Sequence, residues 1–529
     1  MYDVIVVGAG SAGAPLAARL SEDPGRRVLL LEAGRDWRSA DAPAALRSPN
    51  IVPFMHDPAH QAAWQWPGLT ARRTAAQEPK FYWRGRALGG SSAVNAQIAI
   101  RGVAAAFDGW AEAGCEGWSA RNVLPVFDLV EDDPDSGGRG GLPVFRMPAE
   151  RWGAVDRGLR DAALAAGYPW NPDLNDPERE GVSAQPINIR DGRRVTTNDA
   201  YLEPARSRPN LHVRGGAHVD RVLFEGTRAV GVRVRFGDAR EGDAKERGAW
   251  EEVRGREVVL CAGAIHSPAI LMRSGLGPAA ALRGLGIPVL RDLQAVGQHF
   301  MDHPIVRATV PLKPGHRAAG PDARHTNCCV TYSSGLGGGG FRDMIMIAYN
   351  HRGLTPTGEP GQYQPGPGGA VGVALYEAFS RGSLRLRSAD PDDNPEVDEN
   401  MLADERDRLR MRDGVRRLAR LASHPALASL AERITLGDTA LAMDEAAALP
   451  DTELDALLLA EAGDIQHAAG TCRMTAFEDP RGVVDPTLRV RGTDGLRVAD
   501  ASIMPADCRA NLHFTCVVIG EMAARFMLG

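Results

Sequence analysis

Residues 2–34 constrain this chain more than any other stretch. Residues 3–7, DVIVV, are an apolar run too short for a helix and suited to a buried strand. Gly8, Gly10 and Gly13 follow at G-x-G-x-x-G spacing. Residues 12–20 have helical composition, and a second apolar run at 28–31 ends in Glu32. Gly8 permits a tight turn off the strand, Gly10 lets the backbone approach a pyrophosphate, and Gly13 lets the helix pack closely on the sheet. The helix N-terminus offers free N–H groups and a partial positive charge to phosphates. Glu32, about 20 residues further on, can accept hydrogen bonds from a ribose 2′-hydroxyl. This unit predicts a dinucleotide-binding Rossmann-like domain. It does not choose between NAD and FAD.

At 529 residues the chain has room for two or three domains. Its 44% hydrophobic and 24% charged content is that of a globular protein. The net charge of −6, with no basic cluster interleaved with aromatics, argues against a nucleic-acid partner. The seven cysteines are odd in number, irregularly spaced and free of C-x-x-C, which predicts reduced thiols and no metal site. The nucleotide-binding strand begins at the second residue, so no signal peptide is expected. No apolar run approaches the ~18 residues of a spanning helix. Together these features predict a cytoplasmic protein with no integral membrane segment.

Along the chain, residues 36–80 lose periodicity and gain Pro, His and Trp, an excursion that could form a lid. Trp64, Trp66, Tyr82 and Trp83 are candidates to line a pocket there. Residues 86–101, RALGGSSAVNAQIAIR, bring a glycine pair and two serines where backbone N–H groups can meet a flat or anionic ligand. Residues 110–130 and 152–167 are helical, and 211–234 and 257–261 extended. Residues 307–397 alternate as an antiparallel sheet, interrupted by a Pro/Gly-rich loop at 356–369. Residues 405–421 form an amphipathic helix, and 521–528 a closing one.

Residues 85–95 (GRALGGSSAVN), 263–277 (GAIHSPAILMRSGLG), 467–474 (HAAGTCRM) and 498–505 (VADASIMP) resemble signatures of the glucose–methanol–choline oxidoreductase family, in the expected order along the whole chain. Ala468 replaces the family's usual proline. The resemblance implies FAD as cofactor. It implies a segmented α/β FAD-binding Rossmann-like domain (1–150, 205–305 and 460–529) and an α+β substrate domain built on an antiparallel sheet (151–204 and 306–459). Gly8, Gly10, Gly13, Glu32, Arg86, Gly89, Gly90, Ser91, Asn95, Val219, Asp500 and Asn511 are the cofactor-binding positions it implies. Some relatives carry a covalent flavin on a histidine just before the position of Asn95. Here that residue is Val94, so non-covalent FAD is expected.

Alcohol oxidation by hydride transfer requires a base for the hydroxyl proton and a hydrogen-bonding group for the developing alkoxide. Of the 13 histidines, His467 matches the family's base. His513 matches its second active-site position, in a turn where Ala510 replaces glycine. The implied activity is oxidation of a small-molecule alcohol to an aldehyde or ketone, hydride passing to flavin N5. The alternative is a hydroxynitrile lyase of the same fold, with structural FAD. The N-terminal GAGSAGAPLAARLSEDP and the RANLHFT turn resemble the mycofactocin-associated dehydrogenase branch. The residues leave open whether oxygen or a redox carrier accepts the electrons.

Overall fold

The computed structural model describes residues 1–135, 137–138, 140–237, 248–320, 323–356 and 363–529. Among these residues two large sheets organise the chain. In the first, Leu211–Arg214, Val28–Leu31, Tyr2–Val7 and the C-terminal half of Trp250–Leu260 run parallel in that order, with Leu496–Val498 beyond. Val28–Leu31, sequence VLLL, is buried at every position, as a parallel strand covered on both faces should be. Helix Gly13–Leu20 packs on this sheet and against the C-terminal helix Leu512–Leu528. Gly8 turns the chain between them at φ +103°, and a Cβ there would lie 2.3 Å from the Cys261 carbonyl oxygen. A side chain would be excluded by both conformation and space.

The first half of Trp250–Leu260 leaves the parallel ladder and joins Ala217–Glu225 and Arg228–Phe236 in an antiparallel meander. The strands of this sheet therefore come from three separated stretches of sequence.

The second sheet is antiparallel. Its order is Thr435–Leu436, Pro304–Pro311, Tyr363–Leu375, Met344–Pro356, Cys328–Tyr332, Gly181–Ala184. Gly463–Asp464 pairs with the start of Pro304–Pro311. Side chains alternate between faces with period two. Val306, Ala308, Met344 and Met346 belong to a core beneath helices Ala154–Ala165 and Glu405–Ala422. Ile305, Ile345, Ile347 and Ala374 join the core of the first domain instead. The second face thereby roofs the space between the sheets.

Three expectations are corrected. Residues 363–369, read as loop, are strand, and 357–362 lie outside the described residues. Their glycines are packing devices: a Cβ on Gly369 would meet Val155 Cγ2 at 2.7 Å, so helix Ala154–Ala165 rides close on the strand. Ser383–Arg385 and Glu396–Asp398 do not join the antiparallel sheet. They pair with Thr70–Arg72 and Lys80–Phe81, anchoring the 36–80 excursion to the second half of the chain. That excursion also contains helices Ala44–Arg47, Val52–His56 and Pro58–Trp64. The closing helix begins at Leu512 rather than 521. Among the described residues no helix is long and apolar enough to cross a membrane.

Candidate active site

A cavity of about 890 Å³ lies between the sheets, running from Glu32 and Val219 past Gly10 and Gly90 to His467. At its first end Glu32 is buried, and burial pushes its carboxyl pKa up. Its Oε2 accepts the Ala9 N–H at 2.9 Å and its Oε1 the Gly34 N–H at 2.8 Å. The carboxylate thus braces the glycine-rich turn and still borders the cavity. Val219 lines the same end from strand Ala217–Glu225.

The segment around the glycine pair lies across that turn. Gly89 donates its N–H to the Ala9 carbonyl at 2.9 Å. Gly90, at φ +53°, meets Gly10 backbone to backbone, and a Cβ on it would come within 2.6 Å of Gly10 Cα. Gly90, Ser91, Val94 and Asn95 border the cavity; Gly13, Arg86 and Gly89 stand behind its wall. Asn95 is oriented by Arg194, whose Nη1 donates to Asn95 Oδ1 at 3.0 Å. Trp66 reaches the cavity from the excursion, stacks on His266 at 3.8 Å, and carries the Arg86 guanidinium 5.0 Å from its ring centre. Trp83 also borders the cavity, whereas Trp64 and Tyr82 are packed in the core. His266 Nε2 is buried without a protein partner. Asp500 accepts from Ser267 Oγ at 2.6 Å and from the Gly263 N–H at 2.8 Å, tying helix Gly263–Arg273 to the strand Leu496–Val498. An elongated cradle with crossed glycines, a bordering carboxylate and an unpartnered ring nitrogen suits a dinucleotide cofactor.

At the other end the polar atoms form a directed chain. The Tyr376 hydroxyl donates to Asn511 Oδ1 at 2.7 Å, which orients the amide. Asn511 Nδ2 then faces His467 Nε2 at 3.0 Å and can only donate. His467 Nε2 must therefore carry the lone pair, and its proton sits on Nδ1. That N–H points at His303 Nδ1, 2.8 Å away. The His303 proton is left on Nε2, which faces Asp507 Oδ1 at 3.3 Å, within ion-pair distance though not aligned as a hydrogen bond.

Asp302 fixes the backbone beneath this chain: its Oδ1 accepts the N–H groups of His303 (2.7 Å) and His467 (2.8 Å). The Tyr82 hydroxyl donates to its Oδ2 at 2.5 Å. Burial, then the nearby Asp464, raises the Asp302 carboxyl to about 6. Burial, followed by His303 and Arg84, pushes His467 well below the ordinary histidine range, so its imidazole is neutral at neutral pH.

The expected pairing of His467 with His513 gives way to a different one. His513 lines the cavity, but its Nδ1 bonds the Ser11 hydroxyl at 2.9 Å, beside the glycine-rich turn. Burial and Arg194 lower it to about 4. Asn511, read as a cofactor residue, is the side chain against His467. The cause is local: Asn511 stands just before helix Leu512–Leu528, and two residues along a helix turn the side chain by about 200°. Sequence reasoning missed Ser11, Asp302, His303, Tyr376 and Asp507, and read Tyr82 only as a pocket-lining candidate. The only available signal was the Asp302-His303-Pro304 step into a strand.

A dinucleotide cradle opening onto a buried histidine network, roofed by a second sheet, defines a cofactor-dependent oxidoreductase. The chain belongs to the GMC oxidoreductase family: the family's N-terminal model matches residues 2–305 and its C-terminal model residues 378–520. It is 34% identical over 554 residues to the 5-(hydroxymethyl)furfural oxidase of Methylovorus sp., covering 100% of this chain and 99% of that one. It is 36% identical over 558 residues to the oxygen-dependent choline dehydrogenase of Ectopseudomonas mendocina, covering 99% and 93%. The pyridoxine 4-oxidase structure from Mesorbium loti superposes with a TM-score of 0.85 at 30% identity over 99% of both chains. The chain is thus an FAD-dependent oxidoreductase acting on alcohols.

Proposed function

We propose that the chain oxidises an alcohol to its aldehyde or ketone with non-covalently held FAD, using His467 as the base and Asn511 as the alkoxide-binding group. The observation that carries this reading is the directed chain Tyr376–Asn511–His467–His303, which presents a lone pair at His467 Nε2 beside an amide N–H. A hydroxyl that takes the place of their direct bond can accept from Asn511 Nδ2 and donate to His467 Nε2. As the proton moves to Nε2, the Nδ1–H bond to His303 persists and Asp507 lies behind it, which stabilises the imidazolium. FAD, when bound, supplies the hydride acceptor. Glu32 and the crossed glycines would hold its dinucleotide portion, and His513 with Ser11 would border it near the turn.

Val94 offers no nucleophile for a covalent flavin link, which supports a non-covalent cofactor. The names of the relatives support an alcohol donor, and two of them support oxygen as acceptor. The test is anaerobic mixing of the purified, FAD-loaded protein with a panel of alcohols. Bleaching of the flavin band, reversed by oxygen or an added carrier, is the expected result. A flavin that stays oxidised with every alcohol while the protein releases cyanide from a cyanohydrin would support the lyase alternative instead.

A further inference from the structure

The cavity continues past His467 along the inner face of the antiparallel sheet. Residues 303, 305 and 307 share one face of the chain entering and forming Pro304–Pro311. Ile305 packs inward, while Val306 and Ala308 turn to the helices. Arg307 therefore lines the cavity with Ile347 and Tyr349, about 13 Å along the strand from His303.

A glycine makes room for its side chain. Gly463 faces the guanidinium, where a Cβ would come within 2.9 Å of Arg307 Nη1.

The carboxylates at this end each have a partner. Asp464 is bound by Arg73 at 2.5 Å and Asp438 lies 3.5 Å from Arg352. Glu461 accepts the N–H of Asp438 at 3.0 Å. Arg307 lies beside Tyr349, 5.7 Å from its ring centre and interacting with its hydroxyl, and among the described residues no carboxylate lies within 4 Å of it. Lys80 and Arg352 border the same end. His325, also there, is kept neutral by burial and by Arg324. Among the described residues Arg307 and Lys80 are cations of this end with no carboxylate within 4 Å, while Glu461 is engaged by a backbone N–H.

We infer that the substrate is an alcohol carrying a carboxylate at the end away from its hydroxyl, and that Arg307 binds that carboxylate. The inference rests on the reading of His467 as the base at the hydroxyl end. A planar guanidinium without an acidic partner matches a carboxylate through two parallel hydrogen bonds. A quaternary ammonium such as choline would meet like charge here.

The test compares 4-(hydroxymethyl)benzoate with 1,4-benzenedimethanol, which share ring and reacting group and differ only at the far end. With the FAD-loaded enzyme under anaerobic conditions, kcat/KM for flavin reduction should favour the carboxylate by about tenfold or more. Arg307→Met should abolish that preference and Arg307→Lys should keep part of it. Calorimetric binding of 4-methylbenzoate, which has no hydroxyl to oxidise, should weaken about tenfold or more in Arg307→Met. Flavin absorbance and circular dichroism check the fold of each variant. Should Arg307→Met not fold, the parent's preference and the Arg307→Lys ratio decide. A parent enzyme with no preference for the carboxylate, or an Arg307→Met that keeps both preference and binding, overturns the inference. Binding of 4-methylbenzoate through Arg307 without flavin reduction by either alcohol would leave the anion site standing and refute alcohol oxidation.

Discussion

His467 and His303 meet Nδ1 to Nδ1 at 2.8 Å, although 164 residues separate them. Two ring nitrogens at that distance share one proton, and the Asn511 amide on the far side of His467 decides whose it is. The bond therefore sets which His467 nitrogen is free to act as a base. It also gives the ring a partner when it becomes charged.

Replacing His467 by alanine should slow flavin reduction by alcohol by ~10²–10⁴, the usual range for loss of a general base. Flavin absorbance of the purified protein should persist, because no contact assigned to the cofactor's dinucleotide portion passes through this ring. Stopped-flow reduction without oxygen removes the acceptor from the measurement. A parent-like rate in His467→Ala would show that another group takes the proton.

Asn511 and His513 should separate by phenotype. Asn511→Ala should slow reduction by about 10²-fold, comparable to removing one donor to a developing oxyanion. Asn511→His, which keeps a donor, should be milder. His513→Ala should act chiefly on cofactor retention, read as FAD lost in dialysis, since its partner is Ser11. Normal retention together with a collapsed rate in His513→Ala would restore His513 to the alkoxide role.

Removing the support behind the base should matter even though it touches no substrate. His303→Ala leaves the His467 Nδ1–H without its acceptor, and reduction should slow by about 10²-fold through misorientation of the ring. Asp507→Asn should slow it less and should shift the pH profile, because it removes only the distant charge. If His303→Ala retains both rate and pH profile, the His467–His303 bond is only packing.

The pH dependence has a definite sign. His467 is the base only when neutral, and burial with His303 and Arg84 nearby holds its pKa below the ordinary 6.5. Flavin reduction should therefore be level from neutral to mildly alkaline pH, and should fall as acidification carries the imidazole through its lowered pKa. A rate that still climbs through pH 7 would mean a base with an unshifted or raised pKa.

Acid precipitation should release all the FAD into the supernatant, since Val94 borders the cavity where some relatives have a flavin-linked histidine. Yellow protein in the pellet, with a flavin mass on a tryptic peptide, would contradict this.

What the sequence determined by itself was local or carried whole in a motif. The first strand, the Gly8-Gly10-Gly13 turn, the helix and Glu32 are contiguous, so spacing alone specifies their shape. The short apolar runs between residues 307 and 375 specified an antiparallel sheet, whereas Ser383–Arg385 and Glu396–Asp398, expected in it, pair elsewhere. The place of His467 beside the cavity was legible because its motif is contiguous, with Ala468 its one departure.

Tertiary structure decided everything that joins distant segments. His303, Asp302, Tyr376 and Asp507 reach His467 only because Gly463–Asp464 adds to the edge of the antiparallel sheet and the last turn folds beneath it. No local pattern encodes that meeting. Nor could spacing tell Asn511 from His513: both lie in one turn, and the start of the helix sends one to His467 and the other to Ser11. That Arg307 has no carboxylate partner among the described residues is likewise a property of the assembled cavity, where Arg73 and Arg352 engage two of the nearby carboxylates and a backbone N–H engages the third.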